Sequence, residues 1–95
     1  MTTIQRDLAR HALGLPNAQK QTYRNHFCIP EGADEYPNWE DLVKQGLAVK
    51  AGGGVNWSGD FFYLTLEGAT QALLPGESIS VETRVGMRRQ GGQSR

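Results

Sequence analysis

A small α+β domain of about three helices and a two- or three-stranded antiparallel β-sheet, followed by a disordered C-terminal tail, is predicted by three features of the sequence. From Trp39 to Leu74 the order WEDLVKQG, LAVK, AGGGVNWSGD, FFYLT, LEGATQALL reads as helix, strand, glycine-rich turn, strand and helix. Apolar residues recur at helical spacing from Ile4 to Leu15. After Leu74, large apolar side chains thin out in favour of Gly, Ser, Gln and Arg, a composition with too little to bury against the entropy of ordering. The domain is accordingly assigned to residues 1–76 and a flexible tail to residues 77–95.

Thr2 and Gln5 have the spacing of a capping box for the first helix, and Gly14 and Pro16 close it. Ile4, Leu8, Ala12 and Leu15, with Ala9 and Leu13 beside them, supply its apolar face. Arg10 and His11 fall in its last turn, where positive charge suits the helix dipole, so both are expected at a solvated helix end. Residues 17–37 admit two readings: Tyr23 and Phe27 share a helical face, while Phe27, Cys28 and Ile29 before Pro30 suit an extended segment feeding the sheet.

The next helix is expected to start at Trp39, capped by Asn38, with Trp39, Leu42 and Val43 on one face and Glu40 and Asp41 in its first turn. Gly46 can take the left-handed conformation that ends it. Leu47 and Val49 then alternate with Ala48 and Lys50, and Phe62 and Leu64 with Phe61 and Tyr63, as paired strands require. Gly52, Gly53 and Gly54 serve the turn between them. Thr65 caps a helix striped by Leu66, Ala69 and Leu73, stopped by Pro75 and Gly76. This order is the back half of a winged-helix domain. Within the tail, residues 78–85 could alternate as a strand, with Ile79, Val81, Thr83 and Val85 on one side.

A chain of 95 residues buries only about 60 per cent of its unfolded surface, which disfavours a deep active-site cavity. Ten Lys and Arg balance ten Asp and Glu. Up to Leu74, six cations face eight acids, so the surplus arginines sit in the tail. With one cysteine, no internal disulfide forms, and no signal-like or membrane-length apolar run is present, so a cytoplasmic protein with no membrane contact is expected. His11, His26 and Cys28 fall short of the four ligands of a structural zinc site, and Cys28 between Phe27 and Ile29 is expected to be a small buried hydrophobe. No GK[ST] follows the glycines, as a phosphate loop requires. No cofactor, metal, small-molecule substrate or catalytic residue is therefore assigned.

Five residues are candidates for contact with a partner: Arg24, Asn25, Lys50, Asn56 and Trp57. Tyr23-Arg24-Asn25 groups a phenol, a planar donor fork and an amide, suited either to recognising phosphate or carboxylate or to tying the loop to the core. Trp57, flanked by Asn56 and Ser58 in the glycine-rich turn, can insert into a partner or pack back on the hairpin.

The pieces ARHALGL, YRNHF, LVKQGLAVK and FFYLTLEGATQAL, in that order, resemble a family of small uncharacterised bacteriophage and prophage proteins over roughly Ala9 to Leu74. The resemblance implies a phage or prophage origin and carries over no activity and no functional residue. The second half is also similar to winged-helix regulators of the antibiotic-resistance and phenolic-acid types, whose helix before the wing enters the major groove. Here that helix begins with Glu40 and Asp41, and the wing keeps only Lys50 as a cation. A non-enzymatic module that binds a host or phage protein is thus the leading expectation, and a regulator that binds duplex DNA the alternative.

Overall fold

The computed structural model describes residues 1–30, 32–52 and 59–93, the side chains of 88–93 excepted. In chain order the elements are α1 (Thr3–Leu13), β1 (Phe27–Pro30), α2 (Tyr36–Lys44), β2 (Ala48–Gly52), β3 (Gly59–Leu64), α3 (Leu66–Ala72) and α4 (Val81–Gln93). The α+β class and the antiparallel ribbon are as the sequence predicts. The strands form one sheet in the order β1-β3-β2, with Phe27 opposite Phe62 and Ala48 opposite Leu64. A helix-turn-helix needs two helices in succession. Among the described residues only α2 lies between β1 and β2.

Helix α1 starts with the capping box, in which Gln5 N–H donates to Thr2 Oγ1 at 3.1 Å and Thr2 N–H donates to Gln5 Oε1 at 3.0 Å. Gly14 ends it at φ +81°. The buried face is Gln5, Ala9, Ala12 and Leu13, so the expected stripe is too broad, and Ile4 stands 62% exposed. Arg10 is also buried, contrary to its expected solvation. It donates from Nη1 to the Ala72 carbonyl at 3.0 Å and clasps Glu77 with both terminal nitrogens, the Nη2 bond being 2.7 Å. The bidentate geometry compensates for desolvating the two charges.

The extended reading of Phe27 to Pro30 prevails, because Ile29 and, in part, Phe27 turn inward onto the core. Helix α2 begins three residues before the expected Trp39. Pro37 fits its first turn, where a missing N–H costs nothing and the fixed φ is already helical. Asn38 is therefore inside the helix and caps nothing, and Glu40 and Asp41 lie beyond the first turn. The Asp41 carboxylate instead accepts from Gln5 Nε2 at 2.7 Å and Gln45 Nε2 at 2.8 Å, linking α2 to α1. Trp39 fills the centre of the core, 5.1 Å from the Phe27 ring and 5.5 Å from Phe62, stacked at 24° on the latter.

The expected inward phase of β2 is off by one. Gly46 at φ +77° folds Leu47 back onto α2, where its N–H donates to Leu42 O at 2.9 Å. Leu47 is thus a cap contact ahead of the strand, Ala48 faces inward, and Val49 is exposed. In α3, Thr65 caps as expected, accepting from Gly68 N–H at 3.1 Å. The buried side is Gly68, Ala69 and Ala72, with Leu66 exposed. The cause is close approach: a Cβ on Gly68 would lie 2.0 Å from the Leu47 carbonyl oxygen, which fixes the face that α3 presents.

The expected flexible tail does not hold for residues 77–87. Glu77 anchors the chain to Arg10, and Ser78 bridges to Gln21 in parallel. Ser80 N–H donates to Thr22 Oγ1 at 3.0 Å, and Ser80 Oγ accepts from Thr83 N–H at 3.2 Å. That cap starts α4 in place of the alternating strand, so Thr83 and Met87 are buried while Val81 and Val85 face out. Of the expected glycine-rich turn at 51–60, Ala51 and Gly52 belong to β2 and Gly59 and Asp60 to β3, the ladder continuing through both ends, and residues 53–58 lie outside the described ones.

Gly68→Ala should destabilise by about 1–3 kcal/mol, since the obstructing atom is backbone. Gly86→Ala, whose Cβ would meet nothing, should stabilise by about 0.5–1 kcal/mol in urea melts. The Arg10 bonds hold the Glu77 carboxyl at about 2, below the ordinary 4.5. A lowered folded value contributes stability that is complete above the unfolded value and lost as pH falls from about 4.5 towards 2. Glu77→Gln should therefore cost about 3 kcal/mol at neutral pH and flatten the acid limb of a pH series of melts between those values.

Candidate functional site

Three extended positions after the first helix carry polar groups in a row. Arg24 sits beside the C-terminal end of α1, and its Nε and Nη2 donate to the His11 carbonyl at 3.2 and 2.7 Å. Asn25 continues the β1–β3 ladder with its side chain: Nδ2 donates to Leu64 O at 3.0 Å and Oδ1 accepts from Leu64 N–H at 2.8 Å. For both residues the tie to the core is the role the structure shows. Tyr23 is exposed, with the Arg24 guanidinium 5.3 Å from its ring centre.

Lys50 lies elsewhere, at the other edge of the sheet. Its Nζ donates to the Tyr36 hydroxyl at 3.4 Å and stands 5.7 Å from that ring, and the Tyr36 hydroxyl donates to Asp60. The Asp60 bond raises the Tyr36 phenol above its ordinary range, and the bond to Tyr36 raises Lys50. Lys50 therefore belongs to a closed chain of polar contacts. Asn56 and Trp57 lie outside the described residues. The five sequence candidates do not converge.

The surface feature that does assemble is a trough along α1. Its larger part, about 480 Å³, is lined by Ile4, Asp7, Leu8, His11, Phe27 and Glu35. Its smaller part, about 180 Å³, shares His11 and Phe27 and adds Arg24, His26 and Cys28. His11 packs edge-on against Phe27 at 5.5 Å, marking the junction. The floor is apolar, from Leu8 and Phe27. Carboxylates of Asp7 and Glu35 flank one part, and Arg24 with the two imidazoles flanks the other. Of the sequence candidates only Arg24 is here. The rest of the trough escaped prediction because Ile4 and Leu8 read as core; six apolar residues in two helical stripes, of which one suffices for the interior, were the available signal.

Cys28 is exposed, contrary to the expected burial, because the inward phase of β1 goes to Ile29. Nucleophilic catalysis needs a base within hydrogen-bonding reach of the thiol. Among the described residues no hydrogen bond joins Cys28 to His11 or His26. Nor does any group of three or more His, Cys, Asp and Glu among them have the arrangement to hold a metal. No helix among them is long and apolar enough to cross a membrane. What the trough offers chemically is a place for side chains of mixed character. Comparison of the chain with protein-family models, curated proteins and solved structures returns no significant match.

A thiol reagent should label Cys28 to completion in native buffer, without the lag that a buried thiol shows before unfolding. Resistance until denaturant is added would contradict the exposed edge of β1.

Proposed function

We propose that this chain is a non-enzymatic accessory module, of phage or prophage origin and acting in the host cytoplasm, that binds a protein partner through its winged-helix-like domain. One observation carries this reading: the trough combines an exposed aliphatic side chain, an apolar floor and charges of both signs, which is the composition of a protein-recognition patch. Duplex DNA asks for something different, several cations positioned on phosphates. Four of the described cations are engaged within the domain: Arg10 is buried against Glu77, Arg24 serves the His11 carbonyl, Arg6 donates to Gln71 O at 3.4 Å, and Lys50 rests on Tyr36, which leaves Lys20, Lys44 and Arg84 as exposed cations on three separate segments. Helix α2, the one that would enter a groove, exposes Glu40 and Asp41 beside Lys44.

Immobilised protein should retain a specific component of a bacterial host lysate, and Ile4→Glu should reduce that capture about tenfold while circular dichroism stays the same. Mobility of a duplex should be unaffected at moderate salt. A steeply salt-dependent shift that Lys50→Ala weakens, with capture indifferent to Ile4→Glu, would replace this reading by DNA binding.

A further inference from the structure

We infer that the trough along α1 receives helix α4 of a second copy of this chain; this rests on reading the trough as a protein-binding surface and names its occupant. Helix α4 turns Thr83 and Met87 inward, yet leaves Val81 74% and Val85 41% exposed. These two are one helical turn apart, with exposed Arg84 between them and Arg88 four positions further along the sequence. An apolar pair at i and i+4 beside a cation is what a helix presents to an acid-rimmed groove.

The trough has the matching parts. Ile4, 62% exposed, and Leu8 one turn on provide apolar contact over the Phe27 floor, and Asp7 and Glu35 provide carboxylates for the arginine. Among the described side chains of α4, Val81 to Met87, none lines the trough of its own copy. The first part of α4 lines a different hollow, in which Glu82, Thr83 and Gly86 meet Tyr23, Arg24 and Asn25. The exposed valines are thus available to another molecule.

The charge distribution has the same polarity. Residues 1–74 carry six Lys and Arg against eight Asp and Glu, whereas residues 75–95 carry four arginines against two glutamates. The two parts have equal and opposite excess, so copies meeting helix to trough gain Coulomb attraction, and a net charge of zero raises no overall repulsion. Each copy owns one trough and one helix. The contact therefore either closes as a reciprocal pair or continues head to tail.

Sedimentation equilibrium from micromolar to millimolar protein should show a mass rising above the monomer, and added salt should lower it. Ile4→Glu and Val85→Glu should each weaken association about tenfold or more without altering circular dichroism, because both side chains are solvent-facing. Mixing the two variants should restore association, since the intact helix of one meets the intact trough of the other. A monomer at every concentration, association that survives both substitutions, or a mixture that stays monomeric would each overturn the helix-to-trough contact. The broader protein-binding reading fails separately, when lysate capture is indifferent to Ile4→Glu.

Discussion

Trp39 lies wholly buried between the rings of Phe27 and Phe62, and the remaining elements are arranged around that stack. One indole from α2 touches β1 and β3 at once, and α2 also packs along β2, so the helix is fastened to all three strands of the sheet. Truncating such a residue typically costs about 3–5 kcal/mol. Its indole nitrogen has no hydrogen-bond partner among the described residues, a penalty of about 1–3 kcal/mol. Packing therefore outweighs the orphaned donor, which explains why a Trp is tolerated at a place offering nothing to its N–H. Leu42, Leu47, Leu64 and Ala69 complete the interior below it.

Polar closure holds the periphery. The Arg10–Glu77 pair draws the chain after α3 back against α1, and Glu77 Oε1 also accepts from Leu74 N–H at 2.7 Å. Thr22 then receives Ser80, which positions the first turn of α4. Three separate contacts thus recruit a segment whose composition gives little reason to order. None is a large apolar burial. The segment is held by these matched polar groups together with the burial of Met87 in the core and the packing of Ile79 against it.

The same arrangement creates the trough. With Ala9, Ala12 and Leu13 already filling the inward side of α1, Ile4 is left exposed and Leu8 half-buried along the trough, and β1 brings Phe27 up beside Leu8 as its floor. Glu35, just before α2, and Asp7 place carboxylates around that apolar strip. A surface of this kind arises from the order in which helices claim the core, and its chemistry is that of side-chain docking.

The sequence by itself determined what depends on neighbours close in the chain: the Thr2–Gln5 and Thr65 caps, the left-handed Gly14 and Gly46, and the alternation of Phe61 to Leu64. Each of these follows from local backbone chemistry and from a period that one strand or helix imposes. Tertiary structure decided which of two apolar stripes on α1 is buried, why Ala48 and not Val49 faces inward, and that Arg10 is a buried anchor for a distant glutamate. Those outcomes depend on close approaches such as Leu47 against Gly68 and on partners more than sixty residues apart, to which no local pattern points.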